Sequence, residues 1–223
     1  MRSPAEIHER LDRIRAQVGP GVTVVAATKY VALPDMAALA EAGVDVVGEN
    51  RAQDLEAKHA EYGDAFRWHF IGHLQSNKAK YAIRLFDMVH SVDSIPLAEE
   101  LNRRAEQAGQ VIKVMIEVNL SKEATKFGTD EEQLLKLARG IQNLKHLALE
   151  GLMTMPPYFD SPEMSRPYYV ALRELKEKMA SEGIPLQGLS MGMSNDFEIA
   201  IEEGATYVRV GTAIFGPRKL SSK

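Results

Sequence analysis

The sequence predicts a single (β/α)8 barrel, and this prediction depends on two observations. Short apolar runs alternate with helical patterns from residue 22 onward, which is typical of the βα units of a parallel sheet. About eight such runs can be counted, and most are apolar on both faces, as strands buried beneath a layer of helices are. An open doubly wound sheet uses the same units and is the alternative. It is less favoured because no glycine-rich dinucleotide fingerprint follows the first strand.

A helix is predicted before the barrel begins. Ser3 stands in the capping position, Pro4 in the first helical position, and Glu6 completes a capping box. The apolar residues at helical spacing are Ile7, Leu11, Ile14 and Val18. This stripe predicts that the helix packs against another part of the protein.

The elements of the barrel follow in alternation. The eight predicted strands are Val22–Thr28, Val44–Gly48, Trp68–Ile71, Met88–Ser91, Val111–Val118, Leu147–Met153, Leu186–Ser190 and Tyr207–Val210. The seven helices predicted between them are Pro34–Ala42, Arg51–Glu61, Asn77–Leu85, Ile95–Ala108, Asp130–Asn143, Pro162–Glu182 and Asp196–Glu203. Thr129 with Glu132 has the spacing of a capping box. Glycines stand where helix C-termini are expected, at Gly43, Gly109, Gly183 and Gly204. No helix is predicted after the last strand.

Composition limits the classes of function. The chain has 223 residues, 45% hydrophobic and 26% charged, and we expect one domain over residues 1–223. Its 27 basic and 31 acidic residues leave a net charge of −4 without a basic run, which argues against nucleic acid as a partner. The absence of cysteine excludes disulfides and thiolate chemistry. The charged N-terminus is unlike a signal peptide, and no apolar run is long enough to span a membrane, so we expect a cytoplasmic protein.

Polar residues and glycines collect where the strands of this barrel would end, which is where active sites of the fold lie. These residues include Lys29, Asn50, His69, His73, Asn119, Thr154, Ser194, Arg209, Gly211 and Thr212. The loops after the last two strands are the usual phosphate site of such barrels. Ser194 is predicted to cap the helix over Asp196–Glu203, and helix N-termini bind phosphate. The alternatives are that Ser194 only caps this helix and that Gly211 only makes a tight turn, neither of them binding phosphate.

Lys29 ends an apolar strand beside this predicted phosphate site. A desolvated lysine there would suit a Schiff base with a phosphorylated aldehyde. The alternative is a surface lysine that keeps its ammonium in water. A class I aldolase would also use a barrel lysine, but it would need carboxylates nearby for proton transfer, and the only strand-end acids are Glu49 and Glu117.

Arg209 lies two residues before Gly211, so both face the same side of the last strand. A cation there could contact the ring nitrogen of a pyridine cofactor and, because arginine keeps its proton, would leave that nitrogen unprotonated. A salt bridge to a rim carboxylate is the alternative. His69 and His73 fall on a strand and a loop without an acid ligand at a suitable spacing, so we predict no metal site.

Six motifs stand in order along the chain: ATKY, GENRAQ, WHFIGHLQSNK, GLMTM, LSMGMSNDFEIAI and VRVGTAIFG. Together they resemble the pyridoxal phosphate homeostasis proteins, single barrels that bind pyridoxal 5′-phosphate (PLP) and are related to the N-terminal barrel of alanine racemase. The resemblance runs from about Val24 to Gly216. It implies an internal aldimine on Lys29 and a pocket contact from Asn50. It implies phosphate contacts from Ser194, Gly211 and Thr212 and a ring-nitrogen contact from Arg209.

The resemblance also implies a function. It suggests a protein that buffers or delivers PLP without robust turnover, with PLP-dependent apo-enzymes as partners, and we expect a monomer. The alternative is a PLP-dependent amino-acid racemase. Racemase chemistry of the alanine racemase kind needs a second base opposite the lysine, a tyrosine supplied by an extra domain, and we expect no such domain in this chain. Spacing nominates none of Tyr30, Tyr158 and Tyr168 for that task.

Overall fold

Eight parallel strands close into a barrel in the order β1 to β8, and β8 pairs with β1. The computed structural model describes residues 3–121, 123 and 127–217, except the side chains of residues 52–54. The strands are β1 (Thr23–Ala27), β2 (Val46–Glu49), β3 (Arg67–Phe70), β4 (Met88–Val92), β5 (Ile112–Glu117), β6 (Leu147–Met153), β7 (Gly188–Met193) and β8 (Tyr207–Val210). The predicted barrel is confirmed, and the open sheet is excluded because β1 and β8 pair along four residues.

Helices surround this barrel. They are α1 (Pro4–Gln17), α2 (Leu33–Glu41), α3 (Ala52–Tyr62), α4 (Ala79–Leu85), α5 (Ile95–Gln107), α6 (Glu131–Gln142), α7 (Arg166–Ser181), α8 (Phe197–Glu202) and α9 (Thr212–Phe215). Short 3-10 turns precede α4 at Ser76–Lys78 and α7 at Pro162–Ser165, where the sequence predicts continuous helix. The short α9 after β8 was not predicted.

The first helix packs as expected but is not capped as expected. The stripe Ile7, Leu11 and Ile14 is buried, and α1 contacts α2 and α9. Ser3 occupies the capping position with Pro4 after it, yet its side chain makes no capping hydrogen bond. The predicted capping box at this helix is therefore wrong.

The cap of α6 also differs from the prediction. Asp130, rather than Thr129, precedes the helix, and its carboxylate accepts a hydrogen bond from the backbone N–H of Gln133 at 2.7 Å. The backbone N–H of Thr129 donates to the carbonyl of Glu117 at the end of β5. Because Thr129 is held to the strand end, the helix begins after it.

The core divides into an outer layer and an inner one. Most buried apolar side chains form one cluster between the strands and the helices. Two small clusters are separate from it, one of Val25, Val46 and Ile71 and one of Met88, Met115 and Met153. These lie inside the barrel together with several buried polar side chains.

The glycines predicted at helix ends, including Gly43 and Gly204, adopt positive φ, as C-terminal caps do. Among the described residues, no helix combines the length and the apolar character that a membrane span requires.

Candidate functional site

The carboxyl ends of β7, β8, β1 and β2 form one continuous arc of the barrel rim, because closure places β8 beside β1. Ser194 follows β7, Gly211 and Thr212 follow β8, Lys29 follows β1, and Asn50 follows β2. The fold therefore brings these five predicted residues onto neighbouring strand ends.

Ser194 joins two loops of this arc. Its hydroxyl oxygen accepts hydrogen bonds from the backbone N–H groups of Gly211 at 3.0 Å and Ala213 at 3.1 Å. The prediction that Ser194 caps the following helix is wrong, because α8 begins at Phe197 and Asp196 precedes it. The hydroxyl instead lies at the start of α9, so the N–H groups of that turn face a polar oxygen at the rim.

The turn after β7 explains why the serine points across to β8. The carboxylate of Asp196 accepts hydrogen bonds from the backbone N–H of Met193 and the hydroxyl of Ser165, each at 2.8 Å, and folds the turn back on itself. Gly192 has a φ of +90°, and a Cβ built there would lie 2.5 Å from the Cβ of Ala200 in α8. Only glycine therefore lets β7 end this close to α8.

Gly211 leaves room at the rim rather than relieving backbone strain. Gly211 does begin a tight turn, as the alternative has it, because its carbonyl accepts hydrogen bonds from the backbone N–H groups of Ile214 at 3.0 Å and Phe215 at 2.9 Å. Its φ is −120°, so this turn does not need the left-handed backbone that favours glycine. A Cβ added there would lie 3.5 Å from the Cβ of Ala27 at the end of β1. The missing side chain keeps open the space between the ends of β8 and β1. Thr212 begins α9 and its side chain is exposed.

Lys29 lies in the turn after β1, and its side chain is exposed. This corrects the expectation that it is desolvated: β1 ends at Ala27, and the buried residue at the strand end is Thr28. The backbone N–H of Thr28 donates to the carbonyl of Gly48, and that of Val31 donates to the carbonyl of Thr28, each at 2.9 Å. These bonds shape a tight turn that presents the lysine at the mouth of the barrel.

A buried lysine beneath this turn was not found from the sequence. The ammonium of Lys58 in α3 donates to the carbonyl oxygen of Thr28 at 2.7 Å and to the carboxylate of Glu49. The hydroxyl of Thr28 donates to the same carboxylate at 2.7 Å. The peptide immediately before Lys29 is thus held by a buried ion pair. The available signal was the position of Lys58, three residues after Leu55 on the inward stripe of α3.

Arg209 is buried inside the barrel and makes two hydrogen bonds. Its guanidinium donates to the hydroxyl of Ser190 at 2.6 Å and to the carbonyl oxygen of Thr154 at 2.9 Å. Among the described residues it forms no ion pair with a carboxylate, so the alternative of a rim salt bridge fails. Burial raises the pKa of Glu117 to about 7, although Arg209 opposes that shift and Asp93 adds to it. The interior of the barrel therefore holds one fixed cation near a carboxyl that titrates close to neutral pH.

Two buried histidines continue the contacts of Arg209. One ring nitrogen of His90 lies 2.9 Å from the Ser190 hydroxyl, and the other lies 2.9 Å from Nδ1 of His69. Burial, with the charge of Arg67 adding to it, lowers the pKa of His69 to about 3. Burial also lowers the pKa of His90 well below its ordinary value. His90 was missed in the sequence, where its only signal is a polar ring within the apolar strand MVHSV.

His69 and His73 do not converge on a common point. His69 faces the barrel interior and bonds to His90. The ring of His73 stacks on Phe127 with centroids 3.5 Å apart, and its Nδ1 lies 3.7 Å from Asp93. Within the part of the chain that the structure describes, no three potential ligands are placed to hold a metal ion.

Asn50 is half-buried at the end of β2, and the neighbouring loop fixes its place. A Cβ built on Gly72 would lie 2.4 Å from the backbone oxygen of Asn50. Glycine at that position lets the loops after β2 and β3 touch through their backbones. The arc as a whole holds a serine hydroxyl bonded to two backbone N–H groups and an exposed amine, and a buried cation lies inside the barrel.

Comparison with known proteins gives a consistent result. Residues 3–219 match the sequence profile of the family described as alanine racemase, N-terminal domain. A pyridoxal phosphate homeostasis protein of Aquifex aeolicus is 41% identical over 220 residues, which cover 96% of each chain. The structure of PipY from Synechococcus elongatus PCC7942 with PLP bound is 36% identical, with a TM-score of 0.88 over 94% of this chain and 100% of that one. An alanine racemase of Clostridium difficile 630 shares the fold, with a TM-score of 0.76 and 16% identity over 97% of this chain and 58% of that one.

Proposed function

This chain belongs to the pyridoxal phosphate homeostasis proteins of the alanine racemase N-terminal domain family, and on that premise we propose that it binds PLP and acts in PLP homeostasis. The observation that carries the proposal is the hydroxyl of Ser194, which the N–H groups of Gly211 and Ala213 hold at the rim arc that also bears Lys29. The chain would buffer or deliver the cofactor, with PLP-dependent apo-enzymes as its partners and the cytoplasm as its place of action.

The residues of the arc fit a phosphate monoester. The backbone N–H groups at the start of α9 already point at an oxygen, and the absent side chain of Gly211 leaves space beside them. An anion there would be favoured by the N–H groups of the helical turn. We assign this anchoring to Ser194, Gly211 and Thr212, whose hydroxyl lies at the exposed first position of α9.

Three further residues would meet the rest of the cofactor. When bound, PLP supplies an aldehyde that condenses with amines and a pyridine ring that can accept electron density. We assign Lys29 as the amine that forms the Schiff base, Arg209 as the contact of the ring nitrogen, and Asn50 as a contact at the pocket wall. Because the guanidinium keeps its proton, Arg209 would hold the ring nitrogen unprotonated and so weaken the ring as an electron acceptor.

Two observations support a carrier rather than a catalyst. Lys29 is exposed in a turn, so its link to a bound aldehyde would be open to water and to exchange. Glu49, one of the two strand-end acids, is sequestered by Lys58 and Thr28 and does not face the mouth as a base. The exposure of Lys29 and the sequestration of Glu49 both favour release of the cofactor over turnover.

Reduction of the loaded protein tests the central assignment. Protein incubated with PLP is expected to be yellow, and borohydride is expected to fix the cofactor to the tryptic peptide that carries Lys29. Lys78, on the loop after β3, offers a matched control at the same rim. Lys78→Ala should leave the adduct in place, whereas Lys29→Ala should abolish it. An adduct on any other lysine would contradict the assignment.

A further inference from the structure

We propose that His69, His90 and Ser190 form a hydrogen-bonded chain with one fixed direction, and that this chain positions Arg209 for the cofactor ring. The inference rests on the proposed function, because it takes Arg209 to be the contact of the ring nitrogen. The three side chains come from β3, β4 and β7, so the chain crosses the interior of the barrel.

The direction of the chain follows from the donors at its upper end. Arginine only donates, so the Ser190 oxygen is the acceptor of the 2.6 Å bond from Arg209. The hydroxyl then has one proton to give, and among the described residues Nδ1 of His90, 2.9 Å away, is the neighbour that can accept it. A proton on Nδ1 of His90 instead would leave the buried serine hydroxyl without an acceptor, which is costly.

The remaining protons are then determined in turn. With Nδ1 of His90 accepting, its proton lies on Nε2 and is donated to Nδ1 of His69, 2.9 Å away. His69 must therefore also carry its proton on Nε2. Both rings are neutral in this arrangement, which agrees with the lowered pKa of each.

Packing fixes the rings that carry this chain. The ring of Tyr207 lies across both histidines, with centroids 5.9 Å from His69 and 5.5 Å from His90. His90 and Ser190 are fully buried, and His69 nearly so. Because these rings cannot turn freely, the Ser190 oxygen is held at one place and the guanidinium is directed by it. The bond to the Thr154 carbonyl supplies the second point that sets the plane of Arg209.

Proton positions in the protein without PLP test the chain directly. Two-dimensional long-range ¹H–¹⁵N spectra of protein labelled in its histidines distinguish the two neutral tautomers from the charged ring. We expect His69 and His90 to be neutral with the proton on Nε2 at pH 7, with signals assigned through His69→Gln and His90→Asn. A charged ring, or a proton on Nδ1 of His90, would overturn the chain.

Binding of pyridoxine 5′-phosphate tests the positioning role, since this probe has the ring nitrogen and phosphate of PLP but no aldehyde. Ser190→Ala removes a hydrogen bond to the charged Arg209 and should weaken binding of this probe roughly tenfold or more. His90→Leu leaves the Ser190 hydroxyl without its acceptor and should also weaken binding of the probe. His90→Asn keeps an acceptor where Nδ1 was and should stay within roughly threefold of the parent. Ser91→Ala is the matched control, because the Ser91 hydroxyl is equally buried and makes no hydrogen bond within the part of the chain that the structure describes.

Inorganic phosphate, followed by ³¹P titration, separates positioning from general damage. The same variants should bind inorganic phosphate as the parent does, because the N–H groups of the phosphate site follow β8, whereas the substituted side chains belong to β4 and β7. Equal losses for both probes, or normal pyridoxine 5′-phosphate binding by Ser190→Ala, would overturn the positioning role and leave the proposed function standing. Failure of the parent to bind pyridoxine 5′-phosphate would overturn the proposed function and the positioning role together, while the tautomers would still report on the chain itself.

Discussion

Lys58 and Lys29 have separate tasks at the end of β1. Lys58 is buried and uses its ammonium to hold the carbonyl of Thr28 and the carboxylate of Glu49. Lys29, one residue beyond Thr28, has its side chain in water. The buried lysine gives the turn its shape, and the exposed lysine supplies a free amine at the place that the turn sets.

Lys58→Met should destabilise the protein strongly. The substitution leaves Glu49 buried without its cation, and breaking a buried pair in this way costs about 3–5 kcal/mol. Urea unfolding of the variant, compared with the parent, measures this loss. The double variant Lys58→Met with Glu49→Leu should recover much of it, and Lys29→Ala should change the free energy of unfolding little. An unchanged unfolding free energy in Lys58→Met would show that the pair does not stabilise the turn.

Glu117 makes the stability of the protein without PLP depend on pH. Burial raises the pKa of Glu117 from an ordinary value of 4.5 to about 7 in the folded protein, so the folded state holds the proton more tightly. Stability is therefore lost as the pH rises from about 4.5 to 7, to a total of roughly 3 kcal/mol. Glu117→Gln should match the parent near pH 4, below both pKa values, and exceed its unfolding free energy by up to about 3 kcal/mol at pH 8. A difference that is constant with pH would contradict the raised pKa.

At the scale of elements, sequence patterns found every strand and missed what neighbouring elements decide. The alternation of apolar runs predicted all eight strands, because a strand that is buried on both faces shows as an apolar run in its own sequence. The sequence predicts that β7 ends at Ser190, but in the structure it ends at Met193. The strand is longer because Met193 pairs with Arg209 in β8. The predicted helix cap at Ser194 was wrong for the same reason: the partners of its hydroxyl, the N–H groups of Gly211 and Ala213, come from another loop.

Gly192→Ala tests how the end of β7 delivers this serine. The new Cβ would lie 2.5 Å from Ala200 and would also have to accept a φ of +90°. Gly183 is a matched control, with a φ of +82° and no atom within 4 Å of an added Cβ. Gly183→Ala should lower the free energy of unfolding by about 1 kcal/mol, the cost of a positive φ for alanine. Gly192→Ala should lower it by roughly a further 1–3 kcal/mol, because the added Cβ overpacks the contact with α8.

Urea unfolding measures both costs, and equilibrium dialysis with PLP measures the effect on the rim. We expect only Gly192→Ala to weaken PLP retention, because only that substitution displaces the turn that carries Ser194. Equal stability and equal retention in the two variants would show that the contact between β7 and α8 relaxes without moving the rim.

At the scale of the whole molecule, the arc of the site could be predicted from the sequence, whereas the contacts inside the barrel could not. Closure of eight strands necessarily places the ends of β7, β8, β1 and β2 side by side, so residues chosen by strand end alone fell on one arc. The environments of those residues depend on packing from distant parts of the chain. Periodicity could not show that Lys29 is exposed, that Lys58 is buried, or that His90 reaches Ser190 one hundred residues away.

The same arrangement predicts that the protein loaded with PLP is a poor racemase. Racemisation needs a base on each face of the substrate carbon and a ring that stabilises negative charge. Glu49 is held in a buried ion pair with Lys58, and the side chain of Tyr158, in the loop after β6, is 77% exposed. Arg209, held by Ser190 and Thr154, would keep the ring nitrogen unprotonated. Incorporation of solvent deuterium at Cα of L-alanine measures proton abstraction directly, and we expect it to be far slower than about 1 per second, the lower end of ordinary enzymatic rates. Exchange at that rate or faster, lost in Lys29→Ala, would establish the chain as a racemase instead.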